Sequence, residues 1–195
     1  MKRICVFCGS NSGVRSEYAE AARALAAILA EHKLGIVYGG GNVGLMGVLA
    51  DAALGAGGEV IGVIPQSLLD KEVGHRGVTQ LLVVETMHER KALMNDLSDA
   101  FIALPGGFGT LDEFFEVLTW SQLGFHGKPC ALLNVAGYYD RMLAMLDHAV
   151  AEGLLRPAHR ELVIADTDPS RLMMRLNALS PAPKAKHDDA KGNFL

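Results

Sequence analysis

The chain has 195 residues, half of them apolar, and a formal net charge of −4. That length suits one globular domain, and the negative charge gives no electrostatic basis for binding nucleic acid or an anionic membrane. No stretch approaches the ~18 consecutive apolar residues of a spanning helix. The apolar run near the N-terminus is too short for a signal peptide, and the few cysteines suit a reduced compartment. We therefore expect a soluble cytoplasmic protein.

Short β-rich apolar runs alternate along the chain with longer helical patterns, which is typical of a parallel sheet wrapped by crossover helices. The predicted strands are 3–7, 35–38, 60–64, 81–84, 101–104, 130–133 and 162–165. The predicted helices are 16–31, 45–56, 87–97, 110–123, 138–152 and one after residue 168. We predict an α/β protein with a single Rossmann-like, doubly wound parallel sheet and helices on both faces. Residues 1–179 form this domain, 65–80 a long loop near a ligand, and 180–195 a polar tail.

Cys5 and Cys8 form a C-x-x-C pattern at the start of the chain. Such a pair would indicate a redox or metal site if it opened a helix, but here it lies along a predicted strand. Side chains three positions apart on a strand point to opposite faces. We therefore expect both residues, like Cys130, to be core thiols.

Three of the predicted strand-to-helix turns are rich in glycine: 8–13, 39–44 and 105–110. In an open parallel sheet, these turns gather at the carboxyl edge, where ligands bind. Glycines let backbone amides approach an anionic group at a helix N-terminus. Three such loops on one edge predict a phosphate-bearing ligand.

The middle loop also matches G-x-G-x-x-G through Gly39, Gly41 and Gly44. A dinucleotide site would need an acidic residue at the far end of the next strand, for the ribose hydroxyls. Glu59 has the right spacing but precedes that strand, and the far end reads Pro65 and Gln66. A mononucleotide fits this pattern better than NAD or FAD.

The stretch from Ala103 to Glu116, ALPGGFGTLDEFFE, has two interpretations. The first is a structural turn with a capping box between Thr110 and Glu113. The second is an anion site made by glycine amides. A carboxylate beside a phosphate is tolerable if it faces a part of the ligand that becomes cationic. A ribosyl ring losing its base does so, through an oxocarbenium-like state.

The predicted helix 87–97 places Arg90 on the apolar stripe formed by Met87, Met94 and Leu97. A guanidinium on a buried face needs an anionic partner. That partner could be a structural carboxylate, or the side chain could extend to water. Alternatively, Arg90, with Lys91 at the edge of the stripe, faces the ligand together with Glu113.

Several motifs resemble the Lonely Guy family of cytokinin riboside 5′-monophosphate phosphoribohydrolases, once labelled lysine decarboxylase-like: CVFCGS, YGGGNVGLMG, MHERK, PGGFGTLDE and TWSQLG. The resemblance covers residues 1 to about 176. It implies hydrolysis of AMP or N6-modified AMP to base and ribose 5-phosphate, a homodimer, and no metal or redox cofactor. By it, Arg90 and Glu113 are catalytic. Its implied substrate contacts are Lys91, Gly106, Gly107, Phe108, Gly109, Thr110, Leu111, Asp112 and Thr119, to which the loop argument adds Ser10 and Gly41.

The chain departs from plant members of that family at His75 and Arg76, so a base or ribose contact there does not transfer. His75 and His126 lie in predicted loops, where a histidine is either solvated or near the site. A non-catalytic nucleotide carrier is the alternative function, since it would need the glycine loops but not Arg90 beside Glu113. Lysine decarboxylation would need a Schiff-base lysine, and Lys91 beside a buried arginine is a poor context for one.

The sequence also predicts a homodimer independently of the resemblance. The helix after the PGGFGT motif carries Phe114 and Leu118 on one side and Val117 and Trp120 toward another. That is more apolar surface than one contact with a sheet explains. We expect a second subunit to pack on this helix.

Overall fold

The computed structural model describes residues 1–71 and 73–179, so the predicted tail at 180–195 lies outside the described residues. Seven strands form one parallel sheet in the order β4-β3-β2-β1-β5-β6-β7. The strands are β1 (Arg3–Phe7), β2 (Gly35–Tyr38), β3 (Val60–Pro65), β4 (Gln80–Val84), β5 (Ala100–Ala103), β6 (Cys130–Leu133) and β7 (Val163–Asp166). The predicted fold class is confirmed, and each predicted strand lies within about a residue of its observed bounds.

Helices cover both faces of the sheet. They are α1 (Ser16–Glu31), α2 (Gly44–Gly55), α3 (Gln66–Leu69), α4 (Met87–Asp96), α5 (Phe108–Gln122), α6 (Asp140–Ala151), α7 (Pro157–Arg160) and α8 (Pro169–Leu179), with a 3₁₀ turn at Val135–Gly137. The sequence did not predict α3 or α7. Each is a four-residue helix, too short to show an amphipathic period.

Two apolar cores lie on the two faces of the sheet, one under α1, α2 and α8, the other under α4, α5 and α6. Cys8 belongs to the first core and Cys5 to the second, and all three cysteines are buried and free. The prediction that the C-x-x-C pair points to opposite faces is therefore confirmed.

The strand order reverses between β1 and β5, which lie side by side at the centre of the sheet. In a doubly wound sheet, the loops that leave the two strands at such a switch point diverge and open a crevice. The loops after β1 and β5 are two of the three glycine loops. Among the described helices, none is both long enough and apolar enough to cross a bilayer.

Candidate active site

Backbone hydrogen bonds join the three glycine loops at the carboxyl edge of the sheet. The Gly9 N–H donates to Pro105 O at 3.0 Å, and the Leu45 N–H donates to Gly9 O at 3.0 Å. The loop after β1 therefore bridges the starts of α2 and α5. A cavity of about 190 Å³ opens there, lined by Val6, Phe7, Cys8, Gly9, Ser10, Gly39, Met46, Arg90, Gly107, Phe108, Gly109, Thr110 and Glu113.

Arg90 lies on α4 with its side chain only 9% exposed, and each nitrogen of the guanidinium has a hydrogen-bonding or ionic partner. Nε donates to Val63 O at 3.1 Å, and Nη2 donates to Gly39 O at 3.3 Å. Nη1 lies 2.9 Å from Oε1 of Glu113. A planar guanidinium held at three points has one orientation. The backbone ends of β2 and β3 thus aim Nη1 at the carboxylate.

Glu113 lies on the second turn of α5 with its side chain only 10% exposed. Burial raises the pKa of the Glu113 carboxyl, because water no longer stabilises the charged form, while the Arg90 guanidinium opposes that effect. An acid poised in this way ionises at a higher pH than an exposed glutamate. Burial also raises the pKa of the Cys8 thiol, with a smaller contribution from Glu113, so the thiol beside the pair stays neutral.

The predicted capping box between Thr110 and Glu113 is wrong. Helix α5 begins at Phe108 with Gly107 as its N-cap, and no side chain caps it. Thr110 is therefore inside the first turn, and Glu113 extends to Arg90 rather than to the backbone. The uncapped first turn leaves backbone N–H groups without intrahelical partners. Three residues of this turn, Gly107, Phe108 and Gly109, line the cavity.

A capping box occurs instead at the start of α4. The Glu89 N–H donates to Thr86 Oγ1 at 3.1 Å, and Glu89 Oε2 accepts from the Thr86 N–H at 3.3 Å. This cap fixes the helix start and so the rotation that turns Arg90 inward. Met94 is buried on the same face as predicted, but Met87 is 45% exposed, so the apolar stripe does not extend to the first residue of α4.

The predicted site residues divide into two groups. Those that line the cavity are Ser10, Arg90, Gly107, Phe108, Gly109, Thr110 and Glu113. Those that do not are Gly41, Gly106, Lys91, Leu111, Asp112 and Thr119. The predicted roles of both groups in binding or catalysis stay predictions.

Lys91 lies beside the catalytic candidates but faces away from the cavity. Its Nζ lies 2.9 Å from Glu116 Oε1 and 3.2 Å from Asp112 Oδ2. Partial burial lowers the pKa of Lys91, but hydrogen bonds to these two carboxylates outweigh that effect, and the net pKa is raised. A lysine kept protonated is a poor amine for a Schiff base.

Gly41 does not line the cavity and instead contacts the segment after β3. It forms an isolated antiparallel bridge with Gly74, where the His75 N–H donates to Gly40 O at 2.8 Å. The predicted loop at 65–80 therefore contains α3 and is tied by its backbone to the second glycine loop. His75 Nε2 also lies 3.0 Å from Asp51 Oδ1 on α2. Neither His75 nor His126 lines the cavity.

The sequence placed the loops of Gly39 and Cys8 at the ligand without singling out these two residues, and it did not predict Met46 in the cavity wall. A Cβ on Gly39 would collide with Arg90 Nη2, so this position requires glycine while Arg90 keeps its place. The sequence contained a signal for Gly39, because it is the first glycine of the G-x-G-x-x-G match. Glu59, the residue considered as a ribose contact, pairs with Arg3 at 2.8 Å at the opposite edge of the sheet. This position argues against a dinucleotide site.

The fold and this cavity define a Rossmann-like α/β protein with a buried arginine and glutamate pair at the carboxyl edge of its parallel sheet. The sequence model of the family described as "Possible lysine decarboxylase" matches residues 46–176, and the chain belongs to this family. It is 52% identical over 180 residues to a "Probable cytokinin riboside 5′-monophosphate phosphoribohydrolase" of Oryza sativa subsp. japonica, covering 92% of this chain and 79% of the relative. It is 54% identical over 168 residues to a cytokinin riboside 5′-monophosphate phosphoribohydrolase of Rhodococcoides fascians, covering 86% and 85%. The resemblance predicted from the motifs is thus confirmed.

Solved structures with the same fold are more distant in sequence. A molybdenum cofactor binding protein of Rippkaea orientalis superposes with a TM-score of 0.69 at 23% identity, over 92% of this chain and 98% of that one. The molybdenum cofactor carrier protein of Chlamydomonas reinhardtii gives 0.69 at 22% identity, over 91% and 97%. At this identity the similarity concerns the fold alone.

Proposed function

We propose that this protein hydrolyses the N-glycosidic bond of AMP or an N6-modified AMP, releasing the free base and ribose 5-phosphate. The observation that carries the proposal is the ion pair between Arg90 and Glu113, buried in a cavity beside the uncapped start of α5. Relatives about half identical to this chain are named as phosphoribohydrolases, which supports the same reaction class.

The phosphate would bind at the N-terminus of α5. A 15-residue helix presents a partial positive charge and free N–H groups at its first turn. Gly107 and Gly109 have nothing within 4 Å of where a Cβ would stand, so the backbone there is open to a ligand. Ser10, across the cavity, adds a hydroxyl donor from the loop after β1.

Glu113 would act on the ribose, one helical turn further in. As the C1′–N9 bond lengthens, its electron pair leaves with the base, and positive charge develops on C1′ and the ring oxygen. A buried carboxylate stabilises that charge strongly because no water screens it. A water oxygen then bonds to C1′, one of its protons leaves with the base, and the products are ribose 5-phosphate and neutral base. Arg90 keeps Glu113 ionised and fixes its direction.

A non-catalytic nucleotide carrier is the alternative, and adenine release from AMP separates the two functions. We expect the wild-type protein to release adenine. We also expect Glu113→Gln and Arg90→Ala to lower kcat by at least about 10²-fold, because each removes transition-state stabilisation. Matched controls are Glu20→Gln and Arg23→Ala on exposed positions of α1. Binding of AMP without release by the wild-type protein would favour the carrier, and full activity in both variants would refute the assignment of the pair.

The base preference is tested by comparing AMP, isopentenyl-AMP, CMP and GMP as substrates. We propose Lys91, Asp112, Leu111 and Thr119 as substrate contacts only by resemblance. The Thr119 hydroxyl donates to Phe115 O at 2.7 Å within α5. An adenine nucleotide preferred over CMP and GMP would agree with the proposal. Release of cadaverine from lysine would instead favour a decarboxylase.

A homodimer is part of the proposal, but its contact differs from the one expected. Phe114 and Val117 are buried in the chain's own core, and Leu118 and Trp120 are partly buried against it. The apolar side chains left exposed at the end of this helix are Leu123 (59%) and Phe125 (76%). We place the second subunit on these two residues.

A cytoplasmic location, supported by three buried free thiols, is also proposed and is tested by cell fractionation.

A further inference from the structure

Three successive carbonyl groups in front of α5 each accept a hydrogen bond from outside the turn. The Tyr139 hydroxyl donates to Leu104 O at 2.7 Å, and the Gly9 N–H donates to Pro105 O at 3.0 Å. The Tyr138 hydroxyl donates to Gly106 O at 2.6 Å. The Gly106 carbonyl shares its peptide plane with the Gly107 N–H, so a bond to that oxygen restricts the direction of this N–H. The Leu104 carbonyl shares its plane with the Pro105 nitrogen, which carries no hydrogen, so the bond to Leu104 orients no N–H of the first turn.

Gly106 is closely packed within this turn. A Cβ there would collide with Thr110 Oγ1 and would stand 2.9 Å from the Gly9 nitrogen. The backbone of Gly106 is therefore pressed between the loop after β1 and the first turn of α5. The Tyr138 hydroxyl is the side-chain donor on the outer side of that contact. A shift of the Gly106 carbonyl would move Gly107, the N-cap of α5.

The segment that presents Tyr138 is itself held in an unusual conformation. Ala136 has φ 50° and ψ 31°, in the left-handed region that residues with a side chain rarely adopt. Asn134 braces the segment, since its Oδ1 accepts from the Tyr139 N–H at 2.7 Å and its Nδ2 donates to Asp140 Oδ1 at 2.7 Å. The strained backbone at Ala136 thus places Tyr138 within hydrogen-bonding distance of the Gly106 carbonyl.

The ring of Tyr138 is positioned by two other aromatic rings. It meets Tyr18 of α1 edge to face at 5.8 Å between centroids, and Tyr139 at 5.0 Å. Both contacts are made by the ring and not by the hydroxyl, so replacing Tyr138 by Phe keeps them. A second cavity of about 240 Å³ lies on this side of the turn, and Tyr138 is 42% exposed. The hydroxyl is therefore not required to fill a core.

We infer that Tyr138 is a positioning residue for the phosphate-binding turn at the start of α5. Its hydroxyl holds the Gly106 carbonyl and thereby keeps the N–H groups of Gly107 to Gly109 convergent on one anion. The inference rests on the proposed function, because it assigns the phosphate of the substrate to these groups. It names a residue that lines the second cavity and not the cavity that contains Arg90 and Glu113.

The test compares Tyr138→Phe with the wild-type protein, using ribose 5-phosphate in calorimetry and AMP in turnover. Losing one neutral hydrogen bond that orients the site predicts about a fivefold weaker affinity for ribose 5-phosphate. The KM for AMP should rise about as much, while kcat stays within about twofold because Arg90 and Glu113 are untouched. A merely structural role would lower the thermal midpoint without this split between KM and kcat.

Tyr139→Phe is the matched control. The Tyr139 hydroxyl donates to Leu104 O at 2.7 Å, nearly the same distance, but this acceptor lies at the end of β5 and Tyr139 is fully buried. We expect a lower thermal midpoint and unchanged affinity for ribose 5-phosphate. Unchanged affinity and KM in Tyr138→Phe, with normal wild-type binding, would overturn the inference alone. A wild-type protein that neither binds ribose 5-phosphate nor hydrolyses AMP would overturn the proposed function and this inference with it.

Discussion

Arg90 on α4 and Glu113 on α5 form a buried ion pair, with 2.9 Å between Nη1 and Oε1. The two residues are far apart in sequence and come from helices on the same face of the sheet. Desolvation of two buried charges costs several kcal/mol per ion. The arginine recovers part of that cost through the carbonyls of Val63 and Gly39. Stability alone therefore does not explain the pair, and its place in the cavity favours a functional role.

Removing the arginine should destabilise the protein in a pH-dependent way. Arg90→Ala leaves Glu113 buried without its cation, and we expect a loss of about 3–5 kcal/mol in the free energy of unfolding at neutral pH. Without the guanidinium the pKa of Glu113 rises further above its unfolded value. An acid with a raised folded pKa contributes stability at low pH that is lost as pH rises. The deficit of Arg90→Ala, its loss of unfolding free energy relative to wild type, should therefore shrink as pH falls.

Urea unfolding at pH about 5 and about 8 measures this effect. The double variant Arg90→Ala with Glu113→Gln has no titrating group at the pair, so its deficit relative to wild type should depend less on pH. Equal deficits for Arg90→Ala at both pH values would contradict a charged Glu113 in the folded protein.

Gly39 and Gly55 offer a matched pair of substitutions. Gly39→Ala places a methyl group where Arg90 Nη2 now lies, so we expect the guanidinium to be displaced and adenine release to fall by about 10²-fold or more. Gly55, in α2, has nothing within 4 Å of a Cβ. Gly55→Ala should therefore keep activity and gain up to ~1 kcal/mol in unfolding free energy from helix propensity. An active Gly39→Ala protein would show that Arg90 tolerates another position.

The strand bounds were predictable because most of the strands are buried on both faces of the sheet, and such strands read as continuous apolar runs between polar or glycine-rich segments. The start of α5 was not predictable in the same way. Gly107 and Gly109 are poor helix formers, so the sequence pattern indicated a start at Thr110. T-x-x-E occurs both at Thr86 and at Thr110. Only tertiary structure decides between them, because Glu113 is used by Arg90 and Glu89 is free to cap.

Within the site, residue type and helical position offered the pairing of Arg90 with Glu113 as one of several interpretations, and the structure shows this ion pair. The sequence could not reveal what holds Arg90, since Val63 and Gly39 act through backbone carbonyls that carry no residue signature. The same holds for Tyr138, whose acceptor is the Gly106 carbonyl. The direction of Lys91 was also hidden, because it depends on Asp112 and Glu116, which lie beyond the PGGFGT motif on α5.

The dimer contact is tested by placing charge on the exposed end of α5. Leu123→Glu and Phe125→Glu should each convert a dimer to a monomer, because a charge buried in an apolar interface costs several kcal/mol. Light scattering should then change from twice 20.8 kDa to 20.8 kDa. Met145→Glu, at another exposed apolar position on α6, is the control and should keep the larger species. A wild-type protein of 20.8 kDa at micromolar concentration would refute the dimer.

The acidic limb of the rate profile should report the ionisation of Glu113. Burial raises the pKa of this carboxyl above its ordinary value near 4.5, and only the ionised form stabilises a cationic ribose. We therefore expect kcat/KM to fall as pH drops through a pKa higher than that of an exposed glutamate. The Asp112 carboxylate raises and the Lys91 ammonium lowers this pKa.

Asp112→Asn and Lys91→Met should therefore shift the limb in opposite directions. Removing the anion moves the limb to lower pH, and removing the cation moves it to higher pH. Both shifts should shrink in ~1 M salt, where charges are screened beyond about 3 Å. Lys33→Met, an exposed lysine at the opposite edge of the sheet, should leave the limb in place. Shifts in the same direction for both variants would mean that the limb belongs to a group other than Glu113.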